Sequence, residues 1–255
     1  MVTNSYRSYA KINIFLKIIG VKNGLHLIKS RFVKVTNLYD TISLEENDKK
    51  GFCLEGKFDC AKKQNTIYKT YQKLCHIDKK VEQFYQKYKI VVDKKIPSFA
   101  GLGGSSSNAA IFLKLTNQLC HLNLSIKQMV DIGKQIGADV PFFIYEFDSA
   151  NVSGFGEIVE FFDEPKIDIE IFTPNIKCST KEVYEAYDSY FYDKNSPKDF
   201  DNITNTPTIK LLENYSAVEL NDLFLPAIKL KKQLYDFKDG WFFTGSGSSF
   251  FRIKR

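Results

Sequence analysis

The segment 97–110 is glycine- and serine-rich and is the part of the sequence best suited to bind a polyphosphate. It reads PSFAGLGGSSSNAA. Gly101, Gly103 and Gly104 allow positive φ and the close approach of a ligand, while the serines supply hydroxyl groups and an N-cap. Apolar residues with helical spacing follow directly: Ile111, Phe112, Leu115, Leu119 and Leu122. Since the N–H groups and the positive dipole end of a helix favour anions, we predict a phosphate-binding loop at a helix start.

This loop differs from the two more common glycine-rich nucleotide motifs. The sequence has no Gly-x-x-x-x-Gly-Lys-Ser/Thr pattern, and a dinucleotide-binding motif would require glycine where Ser106 stands. Glycine–serine clusters also occur in ordinary loops and linkers. The helical pattern directly behind this cluster favours the phosphate site over the linker.

Transfer of a phosphoryl group to an alcohol also needs a base near the hydroxyl group and positive charge near the phosphoryl oxygens. Asp139 is the candidate base. It lies in a stretch without other charges between Lys134 and Glu146, where an acid is costly unless it has a partner. An aspartate that caps a turn before Pro141 is the alternative interpretation.

Lys11 is the candidate cation. It interrupts an apolar strand pattern over 10–16, where Lys11 and Asn13 share one face and Ile12 and Ile14 take the other. A half-exposed strand without function would show the same alternation. The pattern therefore places Lys11 on a strand and leaves its role open.

Composition bounds the class of protein. With 255 residues, 44% of them apolar and 26% charged, the chain can bury a sizeable core in one large domain or two small ones. The apolar run 12–19 is too short to span a bilayer and no amino-terminal apolar signal is present, so we expect a cytoplasmic protein without a membrane partner. Five irregularly spaced cysteines argue against a disulfide framework or a zinc site.

The charge pattern argues against nucleic acid as a partner. The formal net charge is +6, but only four of the 36 basic residues are arginine and acidic residues are interspersed among them. We expect a small-molecule substrate and a monomer or weak dimer.

The elements that must position these residues alternate without a regular order. Strands are predicted over 10–19, 27–37, 40–44, 88–92, 150–152, 157–162, 167–173 and 241–243. Helices are predicted over 65–76, 81–88, 125–136, 180–190, 208–213 and 225–237, besides the helix behind the glycine loop. A turn at 137–139 is predicted to lead into an apolar strand, 193–208 to be a mobile excursion, and 244–249 to be a second glycine loop.

The mixed order of strands and helices predicts an α+β fold rather than a doubly wound parallel sheet. We place a boundary near residue 155, which gives an amino-terminal domain over 1–155 and a carboxy-terminal domain over 156–255. Because the two glycine loops fall in different halves, we expect the ligand in a cleft between the domains.

The glycine loops resemble motifs of the GHMP kinases (galactokinase, homoserine, mevalonate and phosphomevalonate kinases). Segment 97–110 is similar to their second motif and 244–249 to their third. Further matches are similar to the branch that acts on a cytidine-diphosphate-linked substrate: 10–18, Gly20, Gly24, His26, 37–41, 65–67, 137–141, 154–157 and 221–223. The resemblance covers nearly the whole chain and implies the two-domain GHMP kinase fold, with the active site in the cleft.

The resemblance implies ATP-dependent phosphorylation of the 2-hydroxyl of a cytidine-diphosphate-linked methylerythritol, on the non-mevalonate route to isopentenyl diphosphate. It implies that Asp139 accepts or orients the hydroxyl proton and that Lys11 stabilises negative charge. It assigns the ATP phosphates to a set of cradle residues: Pro97, Ala100, Gly101, Leu102, Gly103, Gly104, Ser105, Ser106 and Ser107. Mg²⁺ is implied with ATP and is expected to be held mostly by the phosphates.

Asn65 and Lys95 are implied to lie near the adenine, and Asn13, His26 and Phe32 to face the cytidine end of the substrate. The branch often has an aromatic residue before this histidine, where Leu25 stands here. Tyr184, or alternatively Phe172, is therefore expected to stack on the base. Another GHMP-type alcohol kinase and a non-catalytic nucleotide-binding relative remain as alternatives.

Overall fold

The computed structural model describes residues 5–193 and 200–254. Helices and strands follow one another in mixed order, as predicted for an α+β protein. The strands are β1 Ser5–Lys22, β2 Leu25–Glu46, β3 Leu54–Gly56, β4 Tyr88–Asp93, β5 Ser149–Gly154, β6 Ile158–Phe161, β7 Ile169–Phe172, β8 Phe242–Phe243 and β9 Phe250–Ile253. The helices are α1 Thr66–Ile77, α2 Lys80–Lys87, α3 Gly104–Leu119, α4 Ile126–Gly133, α5 Val140–Tyr145, α6 Thr180–Tyr190, α7 Asp201–Asn205, α8 Thr208–Asn214, α9 Ala217–Leu220 and α10 Phe224–Leu230.

The chain forms two compact units, each of which takes up separated stretches of sequence. The first contains the described residues up to Ala10, Thr36–Ile96 and Gly103–Glu146; the second contains Lys11–Val35, Pro97–Leu102 and the described residues from Phe147 onward. The predicted division into domains 1–155 and 156–255 stays a prediction.

The first unit is built around α3. Ala109, Ala110, Phe112 and Leu113 of this helix are fully buried, and α1, α4 and α5 pack against it. In the same unit, the second half of β2 pairs antiparallel with β4, and β3 pairs parallel with β4. A helix whose middle residues are buried this deeply belongs in a core, so α3 is the central helix of this unit.

The second unit carries the first half of β2, which pairs antiparallel with β5, and β5 pairs in turn with β6. A separate sheet has the order β7-β9-β8. The core of the second unit contains Phe224, Phe243 and Phe250, whose ring centroids lie 4.8–5.8 Å apart. In the same unit, α6 packs against α10. The loop between β8 and β9 is the predicted second glycine loop.

The three predicted amino-terminal strands form two long strands, β1 and β2, which pair with each other. Between them, Asn23 and Gly24 have φ of 54° and 75°, the backbone that an Asn-Gly hairpin turn requires. The predicted strand behind Asp139 is wrong, because Val140–Tyr145 is helical with Pro141 in its first turn. A short apolar run alone does not separate the two structures.

Two other predictions of secondary structure, both in the carboxyl half of the chain, are corrected. The excursion predicted over 193–208 contains α7, and its residues 194–199 lie outside the described residues. The helix predicted over 225–237 ends at Leu230 and continues as a tighter 3-10 turn over Lys232–Phe237. Among the described residues, none of the helices has the length and apolar character needed to cross a bilayer.

Candidate active site

The first half of the glycine cradle, Pro97–Leu102, packs against the second glycine loop. Gly101 has φ of 74°, and a Cβ built on it would lie 2.4 Å from the Thr244 carbonyl oxygen. The Ser249 amide donates to the Ala100 carbonyl at 3.2 Å. Only a residue without a side chain fits at Gly101, so the two loops predicted from sequence form one backbone assembly.

The second half of the cradle begins α3. Gly103 has φ of 69° and is the N-cap, without a side-chain cap, so the predicted serine N-cap is wrong. Ser105 and Ser106 lie in the first turn, whose N–H groups lack partners within the helix. Gly104 is helical and does not have the positive φ of Gly101 and Gly103, but a Cβ on it would lie 2.8 Å from the Ile96 side chain, which explains this glycine. The buried Ser107 hydroxyl accepts from Ser8 at 2.8 Å, so this serine is already engaged with the protein.

Asp40 fixes the segment that leads into the cradle. Its buried carboxylate accepts from the amides of Lys95 and Ile96 at 2.7 and 2.8 Å and pairs with the Lys94 ammonium. The Lys95 ammonium is exposed and lies 3.5 Å from Asp93. Sequence reasoning noted Asp40 only as part of a family pattern, and its anchoring role follows from contacts to residues more than fifty positions away.

Asn65 has a local structural role besides its predicted one. Its side-chain oxygen accepts from the Ile67 amide at 2.9 Å and caps α1. Next to it, the Thr66 hydroxyl donates to the Ser105 carbonyl at 2.7 Å. The start of α1 is therefore tied to the first turn of α3, and the predicted contact of Asn65 with adenine stays a prediction.

Lys11 is 4% exposed and held by two of the predicted residues. Its ammonium donates to Asn13 Oδ1 at 2.6 Å and lies 4.4 Å from the centroid of the buried Phe32 ring. Its backbone amide donates to the Leu102 carbonyl at 3.0 Å. The structure thus brings Lys11, Asn13 and Phe32 together and joins the strand to the cradle.

Ser30 and Thr244 fix Asn13 in turn. The Asn13 amide group donates to Ser30 Oγ at 2.9 Å, and the Asn13 backbone donates to Thr244 Oγ1 at 2.8 Å. The Ser30 hydroxyl group donates a hydrogen bond to the Phe15 carbonyl. Asn13 Oδ1 therefore faces Lys11 because its Nδ2 faces Ser30. Sequence reasoning missed Ser30, although its position two residues from Phe32 on β2 places it on the same face.

Asp139 stands at the N-cap position of α5 with φ of −80°, but its side chain makes no capping hydrogen bond. The alternative interpretation, in which Asp139 caps the turn before Pro141, is therefore wrong for the start of α5. Asp139 is half-buried. Its pairing with Lys11 stays a prediction.

His26 and Tyr184 are brought together as predicted neighbours. The His26 ring lies 4.7 Å from the Tyr184 ring, and its Nε2 lies 2.6 Å from Asp188 Oδ1. Phe172 instead packs on Phe237 in the core of the second unit, so the alternative stacking residue is not at His26. Leu25, beside the histidine, is 58% exposed.

Arg31, between Ser30 and Phe32, points to the other side of β2 and is fully buried. Its guanidinium donates to the carbonyls of Thr204 and Thr206 at 2.5 and 2.6 Å. Burial lowers the pKa of Arg31 to about 10, which the nearby Glu164 carboxylate partly offsets. Arg31 thereby holds the carboxyl end of α7.

Within the described residues, no three histidine, cysteine, aspartate or glutamate side chains gather as a metal-binding cluster. The donors that the cradle offers are serine hydroxyl groups and backbone groups. Such a set fits an ion that is held mainly by ligand phosphates, since Mg²⁺ commonly keeps waters and uses few protein ligands.

Comparison with known proteins places the cradle in a described family. Residues 65–147 match the model of the GHMP kinases N terminal domain. A 4-diphosphocytidyl-2-C-methyl-D-erythritol kinase of Sulfurimonas denitrificans is 49% identical over 98% of this chain and 96% of its own length. Proteins with the same name from Sulfurovum sp. and Campylobacter jejuni are 47% and 36% identical, each over 98% of this chain and 99% and 100% of their own lengths.

Solved structures share the fold. The crystal structure of a 4-(cytidine 5'-diphospho)-2C-methyl-D-erythritol kinase superposes with a TM-score of 0.74 at 24% identity, over 99% of this chain and 90% of its own. The Methanococcus jannaschii mevalonate kinase gives 0.60 at 14% identity, over 99% and 91%. The predicted GHMP kinase fold is thereby confirmed.

Proposed function

This chain belongs to the family of 4-diphosphocytidyl-2-C-methyl-D-erythritol kinases, and we propose that it transfers the γ-phosphoryl group of ATP to the 2-hydroxyl of that cytidine-diphosphate-linked alcohol. The reaction is a phosphotransfer of isoprenoid biosynthesis. Buried Lys11 is the observation that carries the proposal. A buried ammonium is costly, and one fixed between an amide oxygen and an aromatic face supplies charge where water is excluded.

Asp139 is proposed to accept or orient the proton of the 2-hydroxyl group. Asp139 stands at the N-cap position of α5, where its side chain makes no capping hydrogen bond. Lys11 is proposed to stabilise the carboxylate charge of Asp139 and the charge on the phosphoryl oxygens. Phosphoryl transfer depends mainly on such positioning and charge stabilisation.

The cradle is proposed to bind the ATP phosphates through its backbone. Gly101 and Gly103 adopt positive φ, and the first turn of α3 offers N–H groups near Ser105 and Ser106 that have no partner within the helix. Mg²⁺ bound with ATP would neutralise phosphate charge, and Ser106 is the serine hydroxyl we assign to it, because Ser107 is engaged with Ser8. Asn65 and Lys95 are proposed to line the adenine side.

The cytidine end of the substrate is proposed to lie at His26 and Tyr184, with Asn13 contacting the substrate nearer to Lys11. Phe32 is fully buried beneath the Lys11 ammonium, so we assign it the wall of the site. Leu25 is exposed beside His26 and offers an apolar face to the base.

The test measures ADP release in a coupled assay with the cytidine-linked alcohol, homoserine and mevalonate as acceptors. Asp139→Asn should lower kcat for the cytidine-linked alcohol by about 10²- to 10⁴-fold, as expected on losing a positioned base. Lys11→Met should lower kcat or ATP affinity. Asp131→Asn removes an exposed carboxylate paired with Lys134 and should change neither, which makes it the matched control.

Turnover of another alcohol in preference to the cytidine-linked one would overturn the substrate assignment. If Asp139→Asn kept its kcat within about tenfold, its role as the base would be wrong. Nucleotide binding without turnover of any acceptor would favour the non-catalytic alternative.

A further inference from the structure

His26 is held on three sides by α6. Tyr184, Tyr187 and Asp188 lie three and four residues apart, so they share one face of that helix. Tyr184 lies over the imidazole face at 4.7 Å, Tyr187 meets the ring at 6.0 Å and 83°, and Asp188 Oδ1 lies 2.6 Å from Nε2. The ring plane and one of its two nitrogens are therefore fixed by protein.

The contact with Asp188 decides which ring nitrogen carries a proton. An ionised carboxylate only accepts hydrogen bonds, so the Nε2 that faces it must be the donor. In the neutral ring, Nδ1 is then unprotonated and is an acceptor. Among residues 5–193 and 200–254, no hydrogen bond engages Nδ1. In its neutral form, His26 therefore presents an acceptor to a ligand.

An acceptor at this position distinguishes two otherwise similar pyrimidines. Cytosine carries an exocyclic amino group at carbon 4, which donates hydrogen bonds, whereas uracil carries a carbonyl oxygen, which accepts them. An acceptor that faces position 4 would accept a hydrogen bond from the amino group of cytosine. It would repel the carbonyl oxygen of uracil, because both atoms then present lone pairs. Specificity of this kind depends on the repulsive contact as much as on the attractive one.

We propose that Asp188 is a positioning residue that makes the enzyme select cytidine over uridine, by holding His26 in the tautomer with unprotonated Nδ1 toward the 4-amino group. The inference rests on the proposed function, because it places the cytosine base at His26. Asp188 does not touch the base and acts only through the imidazole ring.

The experiment compares kcat/KM for the cytidine-diphosphate-linked alcohol with that for its uridine analogue, in the wild type and in Asp188→Asn. The asparagine side chain can either donate to Nε2 or accept from it, so it no longer fixes the tautomer. We expect the cytidine-to-uridine ratio to fall by about tenfold, the size of one lost hydrogen bond, with the KM for ATP unchanged. Glu185→Gln removes a carboxylate from the same helix without touching His26 and should keep the wild-type ratio.

A merely structural role for Asp188 would lower both kcat/KM values together and leave their ratio in place, and that result would overturn the inference. Equal use of both substrates by the wild type would also overturn it while leaving the proposed function standing. A wild type that phosphorylates neither substrate would overturn the proposed function itself and, with it, the assignment of cytosine to His26.

A second measurement does not depend on activity. Nitrogen NMR of histidine-labelled protein reads the tautomer directly, and the chain has only three histidines, so His26→Gln assigns the signal. We expect the wild type to show a protonated Nε2, and Asp188→Asn to show a mixture in which the tautomer protonated at Nδ1 is populated. A wild-type ring protonated only at Nδ1 would overturn the inference, even if the variant failed to fold.

Discussion

Gly101→Ala tests whether the phosphate cradle depends on contact between two backbone loops. A Cβ at this position would lie 2.4 Å from the Thr244 carbonyl oxygen, where ordinary contacts begin near 3.4 Å, so one loop must move by about 1 Å. The positive φ costs an alanine about 1–2 kcal/mol and overpacking typically adds 1–3 kcal/mol. We expect the free energy of unfolding to fall by about 2–5 kcal/mol.

The same displacement should impair catalysis. Shifts of about 1 Å in a positioned site can reduce rates by about 10²-fold, so kcat/KM for ATP should fall by that order. Urea unfolding followed by circular dichroism gives the stability change, and the coupled ADP-release assay with varied ATP gives kcat/KM.

Gly51→Ala is the matched control for this variant. Gly51 has nearly the same φ, 78° against 74°, but a Cβ built there meets nothing within 4 Å. The free energy of unfolding of Gly51→Ala should fall only by the backbone strain, about 1–2 kcal/mol, and its activity should be unchanged. If both variants lost the same stability and Gly101→Ala kept its kcat/KM for ATP, the packing of the two loops would not be what shapes the cradle.

The remaining contacts give three more outcomes. Ser30→Ala removes the oxygen that accepts from Asn13, so kcat should fall about tenfold in the coupled assay and recover in Ser30→Thr; an unchanged kcat would contradict this role. Arg31→Met leaves buried carbonyls without donors, so the free energy of unfolding measured in urea should fall by about 3–5 kcal/mol. A fall of less than about 1 kcal/mol would refute this structural role of Arg31. Burial raises the pKa of Cys178 to about 11, so thiol reagents at pH 8 should label exposed Cys60 first; equal rates would contradict this.

Features encoded by local backbone chemistry could be predicted from the sequence. Gly101 and Gly103 do adopt positive φ, and Ser125 does cap α4 through a reciprocal capping box with Gln128. Helix α6 has the predicted bounds, 180–190. In each case the determining residues lie within a few positions of one another, so the sequence pattern contains the whole physical cause.

The errors occurred where several local structures satisfy the same pattern. Val140–Tyr145 is a short apolar run that suits a buried strand or a buried helix, and the packing of α5 against α3 decides for the helix. The run of serines offered a plausible cap, but Gly103 with its positive φ is the N-cap and the helix already begins at Gly104. Local preference was overridden by how the element packs.

Two side-chain partners that lie far from their targets in sequence, Ser30 and Asp188, could not be predicted from local patterns. Ser30 is 17 residues from Asn13, and Asp188 is 162 residues from His26. A serine on a strand and an aspartate late in a helix are ordinary residues by type and spacing. Their roles exist only because the hairpin at Asn23 and the docking of α6 bring them to Asn13 and His26.

The alternation of β2 explains how one short stretch serves two tasks. Ser30 and Phe32 face Lys11 and Asn13, while Arg31 faces the opposite side and binds the carbonyls that end α7. A one-residue slip of this strand would exchange the two faces and bury Arg31 against the Lys11 ammonium, a like-charge contact in a water-poor site. The six-residue pairing of β2 with β5, from Ile28 to Val33, excludes that slip. The register of this strand pair is therefore a condition for the charge arrangement at Lys11, and the glycine cradle alone would not provide it.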